Sequence, residues 1–369
     1  MKMGNYYKRI KNICLSNAWR FSSAYCYKNI VKWRRVKGKY KGKRCFLIAN
    51  GPSLNMTPLY LLKDEYTIMF NRASLMVERL NFCPNFYMVT DSLVANNIKD
   101  EIQFYLKTCE KVFVPDITKG ELLKIKDFVP FDSNVYFMYD EPMVRFSHTL
   151  PFMSVGGTVI FAAFQVLKYL GFDEVVVVGN DMNYVLHKNV DIIKEQKSKY
   201  ILSQELHSQK DDDPNHFDPR YFGKGREFHQ PNEGVINRIF SSLDVVAREY
   251  EKAGVKVINA GYNSMVNSFP KQDFYDALCY PQEKIDKIFD DLLKSKGLKS
   301  KEWLFEKAIL IEDDFRINSD VVSVPMNKAT EVVKDRILDY IPLGPYNGNV
   351  FFVKRTLIQS CDNYVQRVS

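Results

Sequence analysis

The residues best suited to chemistry are two histidines and a tyrosine in the polar middle of the chain. His216 and His229 are candidate general bases, because imidazole titrates near neutral pH without strong tuning. Tyr184 follows a predicted strand, and its hydroxyl can donate a hydrogen bond to a leaving phosphate. A single loop histidine is more often only solvated, so these roles depend on the residues that the fold brings around them.

A second feature is the turn Asn50-Gly51-Pro52-Ser53-Leu54, which directly follows the first predicted strand. Glycine permits a close turn, proline favours a helix start and serine can cap that helix, so we expect free backbone N–H groups to face a phosphate. The segment lacks the later glycines of a dinucleotide fingerprint and the Gly-Lys-Ser/Thr of a Walker loop. It indicates either another kind of nucleotide-phosphate cradle or an ordinary turn between strand and helix.

Further polar segments stand where other predicted strands end. Asn71 and Asp91 end the next two strands, and Asp181 follows a later one, where it can hold a hydroxyl-rich ligand. The segment 154–158, Ser-Val-Gly-Gly-Thr, opens a predicted helix whose amides can contact an anion. Parallel strands bind ligands at their carboxyl ends, so this placement predicts one site. Its predicted nucleotide-binding residues are Asn50, Gly51, Pro52, Ser53, Asn71, Asp91, Ser154, Gly156, Gly157 and Asp181.

The loop that contains His216 is rich in charge. Residues 211–213 are three consecutive aspartates followed by a proline. This pattern fits either a divalent-metal site that clamps a nucleotide diphosphate or a solvated loop. The candidates for acceptor contacts or a lid are Arg220, Tyr221 and Lys224.

In order along the chain, these segments resemble the bacterial CMP-sialic-acid-dependent sialyltransferases of family 42. The resemblance rests on the turn 50–54, Asn71, the segment 154–158, Gly-Asn-Asp at 179–181 with Tyr184, and His-Gln-Pro-Asn at 229–232. The same segments resemble the related motility-accessory-factor and 6-hydroxymethylpterin-diphosphokinase-like domains of polysaccharide and flagellin-glycosylation loci. The resemblance covers roughly residues 44–270 and leaves both ends of the chain outside it.

The resemblance implies roles for the matching residues. The family's base, a histidine shortly before a long helix, corresponds best to His229, whereas His216 lies in a motif more typical of the diphosphokinase-like relatives. The choice of base stays open between them. Tyr184 corresponds to the family's donor to the leaving phosphate. Pro151 stands where the family has an arginine, and Asp91 where it has an asparagine. The residues that would contact the CMP-sugar are Asn50, Gly51, Ser53, Asn71, Ser154 and Gly156.

These side chains must be positioned by an α/β fold. Short runs of β-branched or aromatic residues, several of them apolar throughout, alternate with helical patterns, which predicts strands buried on both faces. The predicted strands are 45–49, 66–70, 85–90, 111–115, 134–139, 174–179 and 256–260, and the clearest helices are 158–170 and 234–253. This alternation predicts a doubly wound, mostly parallel sheet of the Rossmann-like kind, a variant of the GT-A-like folds.

The charge distribution suggests the domain organisation. The net charge is +8, but residues 1–44 hold 14 Lys and Arg and no acidic residue, which leaves 8 − 14 = −6 for residues 45–369. We expect a basic aromatic arm at 1–43, a catalytic domain at 44–285 with a helical or loop lid at 185–233, and a small C-terminal extension at 286–369. Rings and cations together suit an anionic membrane surface or nucleic acid, and a helix that packs its rings on the body fits equally well.

Composition excludes several classes of protein. With 46% apolar and 26% charged residues, the 369-residue chain can bury a sizeable core, so disorder of the whole chain is excluded. No apolar run approaches the roughly 18 residues of a membrane-spanning helix. Seven scattered cysteines without a Cys-x-x-Cys pair indicate reduced thiols and the cytosol. Five histidines without ligand spacing give no zinc site.

These observations predict a glycosyltransferase in the cytoplasm, peripheral at the inner face of the cytoplasmic membrane. It would transfer a sialic-acid-like, nonulosonic sugar from a CMP-sugar to a glycan or lipid-linked acceptor with inversion. Such a transfer breaks a bond to a monophosphate, so we expect no cofactor and no metal. The alternative is an ATP- and Mg²⁺-dependent, diphosphokinase-like phosphotransferase with metal ligands among Asp91, Asp181 and the aspartates at 211–213. We expect no nucleic-acid partner, and a homo-oligomer is left open.

Overall fold

The computed structural model of the chain describes residues 24–115, 129–130, 133–141, 145–194, 203–312 and 317–358. Its central feature is a sheet of eight strands in which every neighbouring pair is parallel, in the order β11-β7-β1-β2-β3-β4-β5-β6. The strands are β1 (Arg44–Ile48), β2 (Tyr66–Phe70), β3 (Phe86–Met88), β4 (Lys111–Pro115), β5 (Val135–Asp140), β6 (Phe152–Met153), β7 (Glu174–Val178) and β11 (Lys256–Asn259). The doubly wound α/β prediction is confirmed.

Two hydrophobic cores, one on each face, hold the sheet. Successive residues of β1 alternate between them: Phe46 and Ile48 join one core, whereas Cys45 and Leu47 join the other. A strand needs this double burial to be apolar throughout, which is why the sequence runs predicted the strands well. All seven predicted strands are present in this sheet, and among its eight strands only β6, which is two residues long, was not predicted.

Ten helices among the described residues flank these sheets. They are α1 (Ala24–Val36), α2 (Ser74–Val77), α3 (Ser92–Asn97), α4 (Lys99–Thr108), α5 (Val159–Leu170), α6 (Glu233–Glu251), α7 (Phe274–Leu278), α8 (Gln282–Ser295), α9 (Lys301–Lys307) and α10 (Ala329–Arg336). Both predicted helices form. Thr158 caps α5 by accepting from the N–H of Ile160 at 3.3 Å, and Asn232 caps α6 by accepting from the N–H of Val235 at 3.1 Å.

Helix α1 covers the exposed edge of β5. The Asn29 amide donates to the carbonyl of Phe137 at 2.9 Å and accepts from its N–H at 3.2 Å, while the indole N–H of Trp33 donates to the same carbonyl at 3.0 Å. Trp33 is fully buried. An uncovered edge would leave these backbone groups unpaired. Residues 24–43 are therefore part of the folded body and not a detachable arm. Residues 1–23 of the predicted arm lie outside the described residues.

The predicted lid, 185–233, contains a small antiparallel sheet in the order β10-β9-β8. Its strands are β8 (Val190–Lys194), β9 (Ser203–Ser208) and β10 (Glu227–Pro231). The expectation of helix and loop alone is wrong here, because these strands mix polar and apolar residues in runs too short to show a period. Among the described residues, no helix begins in this segment before α6.

Residues after α9 form a third sheet, in the order β12-β13-β15-β14, with α10 packed on it. Its strands are β12 (Ala308–Leu310), β13 (Val321–Pro325), β14 (Tyr340–Tyr346) and β15 (Asn349–Lys354). We call the described part of 308–358 the C-terminal unit. The predicted boundary at 285/286 falls inside α8, whose Ile288 and Phe289 are buried in a core of the main sheet, so the unit begins later in the chain.

The C-terminal unit packs behind the turn that follows β1. Thr330 donates to the carbonyl of Pro52 at 3.2 Å, and Tyr60 donates to the carbonyl of Pro345 at 2.8 Å. The ring of Tyr346 stacks on Phe289 with the centroids 4.2 Å apart. Within the described residues, no helix is long and apolar enough to cross a membrane.

Candidate functional site

A cleft of about 920 Å³ opens at the carboxyl ends of the parallel strands. It includes the ends of β1 and β7, where the strand order reverses and where doubly wound sheets bind ligands. Twelve of the sixteen predicted site residues line it. They are Asn50, Gly51, Asn71, Asp91, Ser154, Gly156, Gly157, Asp181, Tyr184, His216, Tyr221 and His229.

Asp181 holds the turn that follows β1. Its buried carboxylate accepts from the backbone N–H of Ser53 at 2.9 Å and from the Ser53 hydroxyl. The N–H of Gly51 donates to the carbonyl of Gly179 at 2.8 Å, and that of Leu54 donates to the carbonyl of Gly51 at 3.1 Å. The prediction of a phosphate cradle made of free amides in this turn is therefore wrong, since these amides already have partners.

Gly51 is required by the close approach of β1 and β7. Its φ of −69° is ordinary, but a Cβ there would lie 2.4 Å from a carboxylate oxygen of Asp181 and 2.6 Å from the carbonyl of Gly179. Burial raises the pKa of Asp181, and the two bonds from Ser53 oppose that rise. The turn and the end of β7 thus form one rigid wall of the cleft.

The segment 154–158 forms a second wall. Gly156 and Gly157 have φ values of +61° and +93°, which favour glycine, and a Cβ on Gly156 would lie 2.4 Å from the ring of Phe161. The stem of Arg238 on α6 passes 3.5 Å from the Cβ position of Gly157. Arg238 also lines the cleft, so this corner combines a guanidinium with the start of α5.

The most ordered candidate for acid–base chemistry is His216. Its Nδ1 lies 2.8 Å from the buried carboxylate of Asp213, and its ring stacks on Tyr221 with the centroids 3.9 Å apart and the planes 3° apart. Asp213 also accepts from the backbone N–H groups of Asn215 at 2.8 Å and Phe222 at 3.0 Å. The carboxylate therefore fixes the ring orientation and directs Nε2 away from itself.

Electrostatics keep Asp213 ionised. Burial alone would raise its pKa, but the His216 ring and the two backbone donors lower it overall. A charged carboxylate beside Nδ1 stabilises the imidazolium that forms when His216 accepts a proton. Asp213 and His216 thus have the geometry of a base with an orienting carboxylate.

Tyr184 is tied to the His216 loop through the residues next to each. The N–H of Val185 donates to the side chain of Asn215 at 2.8 Å, and the Asn215 amide donates to the carbonyl of Val185 at 2.9 Å. Tyr184 is 38% exposed as a residue, but desolvation of its hydroxyl, aided by the charges of Asp213 and Asp181, raises the pKa of Tyr184 to about 12. The phenol stays protonated at neutral pH and can act as a hydrogen-bond donor.

His229 occupies a looser position on β10. Its Nδ1 lies 3.6 Å from a carboxylate oxygen of Asp91, and its side chain is 37% exposed, against 17% for His216. Asp91 also accepts from the N–H of Val94 at 3.1 Å, at the start of α3. Both histidines line the cleft, but His216 is the more firmly oriented.

Four side chains of the cleft carry buried polar atoms without a hydrogen-bond partner in the described part of the chain. They are Oδ1 of Asn71, Nδ2 of Asn180, the hydroxyl oxygen of Tyr221 and Oε1 of Gln230. Asn71 and Met182 also adopt positive φ values, +50° and +58°, which are rare for residues other than glycine. Unsatisfied polar atoms and strained backbone cluster at ligand sites, because a bound molecule can supply the missing partners.

The three consecutive aspartates do not converge. Asp211 accepts from the N–H of Lys224, Asp212 lies 2.8 Å from Nε2 of His187, and Asp213 faces His216. Of the two interpretations of 211–213, the shared metal clamp is therefore contradicted. Within the described ranges, no group of three or more His, Cys, Asp or Glu side chains is arranged to hold a metal ion.

Four predicted site residues lie outside the cleft lining: Pro52, Ser53, Arg220 and Lys224. Ser53 is buried behind the wall that it forms with Asp181. The guanidinium of Arg220 is engaged by Asp218 and Glu78 and does not face the cleft. Lys224 is exposed, and its backbone N–H meets Asp211. Of the three predicted acceptor or lid residues, only Tyr221 lines the cleft.

Sequence reasoning missed several lining residues. Asp213 and His216 are three residues apart, a spacing that could have suggested the pair, but the run of three aspartates drew attention to metal binding. Nothing in the sequence singles out Arg238 on α6 or the orphaned amide of Asn180. The acidic residues that end β5 were also missed, and they are Asp140 and Glu141.

No family model and no curated protein matches the chain. Among solved structures, the MAf glycosyltransferase from Magnetospirillum magneticum AMB-1 is similar over 72% of this chain and 41% of that chain, with 12% sequence identity and a TM-score of 0.36. The match thus spans about two fifths of that protein's length. A likeness of this size does not establish a shared fold or activity, so the functional argument rests on the site.

Proposed function

We propose that the protein is a glycosyltransferase in which His216, oriented by Asp213, deprotonates an acceptor hydroxyl. The observation that carries the proposal is the pairing of two proton-handling groups in one cleft. The Val185–Asn215 hydrogen bonds join the residue after Tyr184 to the residue before His216. A base and a protonated phenol are therefore held on adjacent, mutually bonded loops.

The donor we propose is a CMP-activated nonulosonic sugar. The acceptor oxygen attacks the anomeric carbon, its proton passes to Nε2 of His216, and the bond between that carbon and the phosphate oxygen breaks. CMP leaves with the electron pair, and the Tyr184 hydroxyl donates a hydrogen bond to the departing phosphate. Attack on the face opposite the leaving group inverts the anomeric centre.

The cleft has room and unsatisfied polar atoms for such a donor. Its volume of about 920 Å³ lies within the range of small-molecule sites, which is roughly 300–1,000 Å³. Asn180 Nδ2 supplies a donor, and Asn71 Oδ1 and Gln230 Oε1 supply acceptors, which suits a nucleotide and a polyhydroxylated sugar. Arg238 and the Gly156–Gly157 turn supply the positive corner for a phosphate or a carboxylate.

The test is a thermal-shift titration with CMP, CDP, UDP, GDP and ATP, each with Mg²⁺ and with EDTA. A ligand that binds only the folded state raises the melting temperature by mass action. The proposal predicts a shift with CMP that persists in EDTA, followed by transfer from a CMP-nonulosonate to a glycan. A shift confined to ATP or a nucleoside diphosphate with Mg²⁺ would contradict it and favour the phosphotransferase.

We also propose that the protein meets an anionic membrane through a basic face at the opposite end of the sheet. Its exposed cations are Lys28, Arg34, Arg35, Lys37, Lys39, Lys41 and Lys43. Gly42 donates to Asp173, just before β7, at 2.7 Å, and Lys39 pairs with Glu110, just before β4, at 3.2 Å. These contacts lie at the amino ends of the strands, whereas the cleft lies at the carboxyl ends.

In this orientation the cleft opens away from the bilayer, toward a glycan that extends into the cytoplasm. Sedimentation with phosphatidylglycerol vesicles should carry down the wild-type protein, and phosphatidylcholine vesicles should not. Charge reversal of Lys37, Lys41 and Lys43 should release it. The matched control reverses Lys287, Lys294 and Lys299, which are exposed on and after α8. Equal binding of both triple variants, or retention on RNA in place of vesicles, would contradict the proposal.

A further inference from the structure

Arg355 joins the C-terminal unit to the main sheet. Its guanidinium makes two bonds to the Glu78 carboxylate, Nη2 to Oε1 at 3.0 Å and Nη1 to Oε2 at 3.2 Å. The same guanidinium donates twice to the carbonyl of Ile337, at 2.9 and 3.2 Å, after the last turn of α10. The carbonyl of Ile337 holds the Arg355 guanidinium from within the C-terminal unit, so that unit sets its orientation. The guanidinium then binds the Glu78 carboxylate as a rigid, two-pronged donor.

From Glu78 the ion pairs continue into the loop that carries His216. Arg220 donates to Glu78 at 2.7 Å and to both oxygens of Asp218 at 2.9 and 2.7 Å. Asp218 also meets Arg79 at 3.1 Å. The side chains of Glu78, Asp218 and Arg79 are 9%, 0% and 5% exposed, and those of Arg220 and Arg355 are 22% and 26% exposed, so solvent screens the centre of this network little.

The loop that carries Asp218 and Arg220 also carries the proposed base, His216. His216 stacks on Tyr221, the residue after Arg220, and Phe222 donates its N–H to Asp213. The N–H of Phe217 meets the carbonyl of Asn50 at 3.0 Å at the cleft wall. The ten residues 213–222 therefore contain both the Asp213–His216 pair and the ion-paired Asp218 and Arg220.

The fold should tolerate the loss of Arg355, because a second cation also neutralises Glu78. Burial alone would raise the pKa of Glu78, but Arg220 and Arg355 together lower it, so Glu78 is ionised and shared by two cations. Removing Arg355 leaves Glu78 paired with Arg220. The loop then keeps its main anchor, Arg220 on Glu78, while the bonds from Arg355 to Glu78 are lost.

We propose that Arg355 is a positioning residue: through Glu78 and Arg220, the C-terminal unit fixes the loop 213–222 and with it the orientation of His216 in the cleft. The effect of Arg355 on sugar transfer rests on the proposed function, whereas its effect on the order of the loop 213–222 does not. A network whose groups are buried and mutually bonded transmits such a constraint because its parts cannot shift independently.

The test is hydrogen–deuterium exchange of the full-length chain, wild type against Arg355→Gln. Glutamine retains much of the side-chain length but loses the charge and the fork. Exchange should speed up several-fold in peptides covering 213–222, including the Phe217 and Phe222 amides, although these residues lie far from 355 in sequence. The matched control is Lys354→Gln, which removes the neighbouring ion pair with Asp320 (3.4 Å), a contact within the C-terminal unit. It should leave exchange in 213–222 unchanged.

Activity and a second variant complete the test. Arg355→Gln should lower kcat while leaving the donor KM unchanged, and Arg355→Lys, which keeps the charge without the fork, should fall between glutamine and wild type in both exchange and kcat. If Arg355→Gln does not fold, the lysine variant carries the comparison alone. Wild-type exchange in 213–222 for a folded Arg355 variant would overturn the proposal. Altered exchange in a protein that transfers no sugar would uphold the coupling and contradict only the proposed function.

Discussion

The carboxylate of Asp213 lies 2.8 Å from Nδ1 of His216, so the ring is oriented by a buried charge while its other nitrogen is left for chemistry. Asp91 stands farther, 3.6 Å, from Nδ1 of His229, whose side chain is 37% exposed against 17% for His216. The comparison favours His216 as the base, although the family resemblance points first to His229.

Replacing His216 by alanine should reduce transfer by about 10²–10⁴-fold, because general-base catalysis contributes on that order. Binding of CMP should be unchanged within error in a thermal-shift titration. His229→Ala is the control, since it removes a histidine of the same cleft, and should cost less than tenfold. A larger loss with His229→Ala than with His216→Ala would exchange the two roles.

Tyr184→Phe should lower kcat by about 10²-fold, since one donor to developing negative charge is lost, with little change in the overall fold. The raised pKa of about 12 has a pH consequence: the phenol remains a donor until the solution nears that value. We therefore expect no loss of rate attributable to this group up to about pH 10. An alkaline limb near pH 8 that vanishes in Tyr184→Phe would contradict this.

Asp218 should make the free energy of unfolding decrease at acid pH. Burial alone would raise its pKa, but Arg220 and Arg79 lower it to about 2, against about 3.9 in the unfolded chain. The resulting stability, about 2 kcal/mol, is fully present above pH 4 and is lost as the pH falls toward 2. Urea unfolding at pH 5 and pH 2.5 should show this loss in wild type and in the exposed-site control Asp64→Asn. Asp218→Asn removes the carboxylate that Arg79 and Arg220 share, so the variant is less stable at both pH values, and the same pH change should cost it less.

Gly51→Ala tests the wall of the cleft. The new methyl would lie 2.4 Å from the Asp181 carboxylate, so it should displace the bonds to Ser53 and destabilise the fold by about 1–3 kcal/mol. Gly261→Ala is the control, because its Cβ would meet its nearest neighbour, Oδ1 of Asn259, at 3.3 Å. Chemical denaturation measures both. Equal stability of the two variants would show that the wall yields without cost.

Trp33→Ala should destabilise the protein by about 3–5 kcal/mol, because it empties a fully buried site and removes one of the two donors to the carbonyl of Phe137 in β5. Deletion of residues 1–40, which removes α1, should likewise prevent stable folding. Unchanged melting after this deletion would mean that α1 is dispensable for the fold.

Much of the fold was readable in the sequence because a parallel sheet buried on both faces requires apolar runs with a clear boundary. The runs at 45–49 and 174–179 became β1 and β7, and Thr158 and Gly171 marked the two ends of α5. The lid strands β8 to β10 were not predicted, since half-exposed antiparallel strands of five or six residues carry no strong period. Polar residues at strand ends also predicted the edge of the sheet that holds the cleft.

The sequence by itself therefore determined the strands, the main helices and the edge of the sheet where a site forms. Only the tertiary structure decided which polar groups remain available there. Ser53 and Asp181 are 128 residues apart and bond to each other, Arg220 turns to Glu78 across 142 residues, and Glu78 reaches Arg355 across 277. The local sequence pattern indicates which residues are buried, because burial follows the period of the helix or strand. Which polar group meets which depends on how distant segments pack, and that pairing separates the oriented His216 from the side chains that only hold the cleft together.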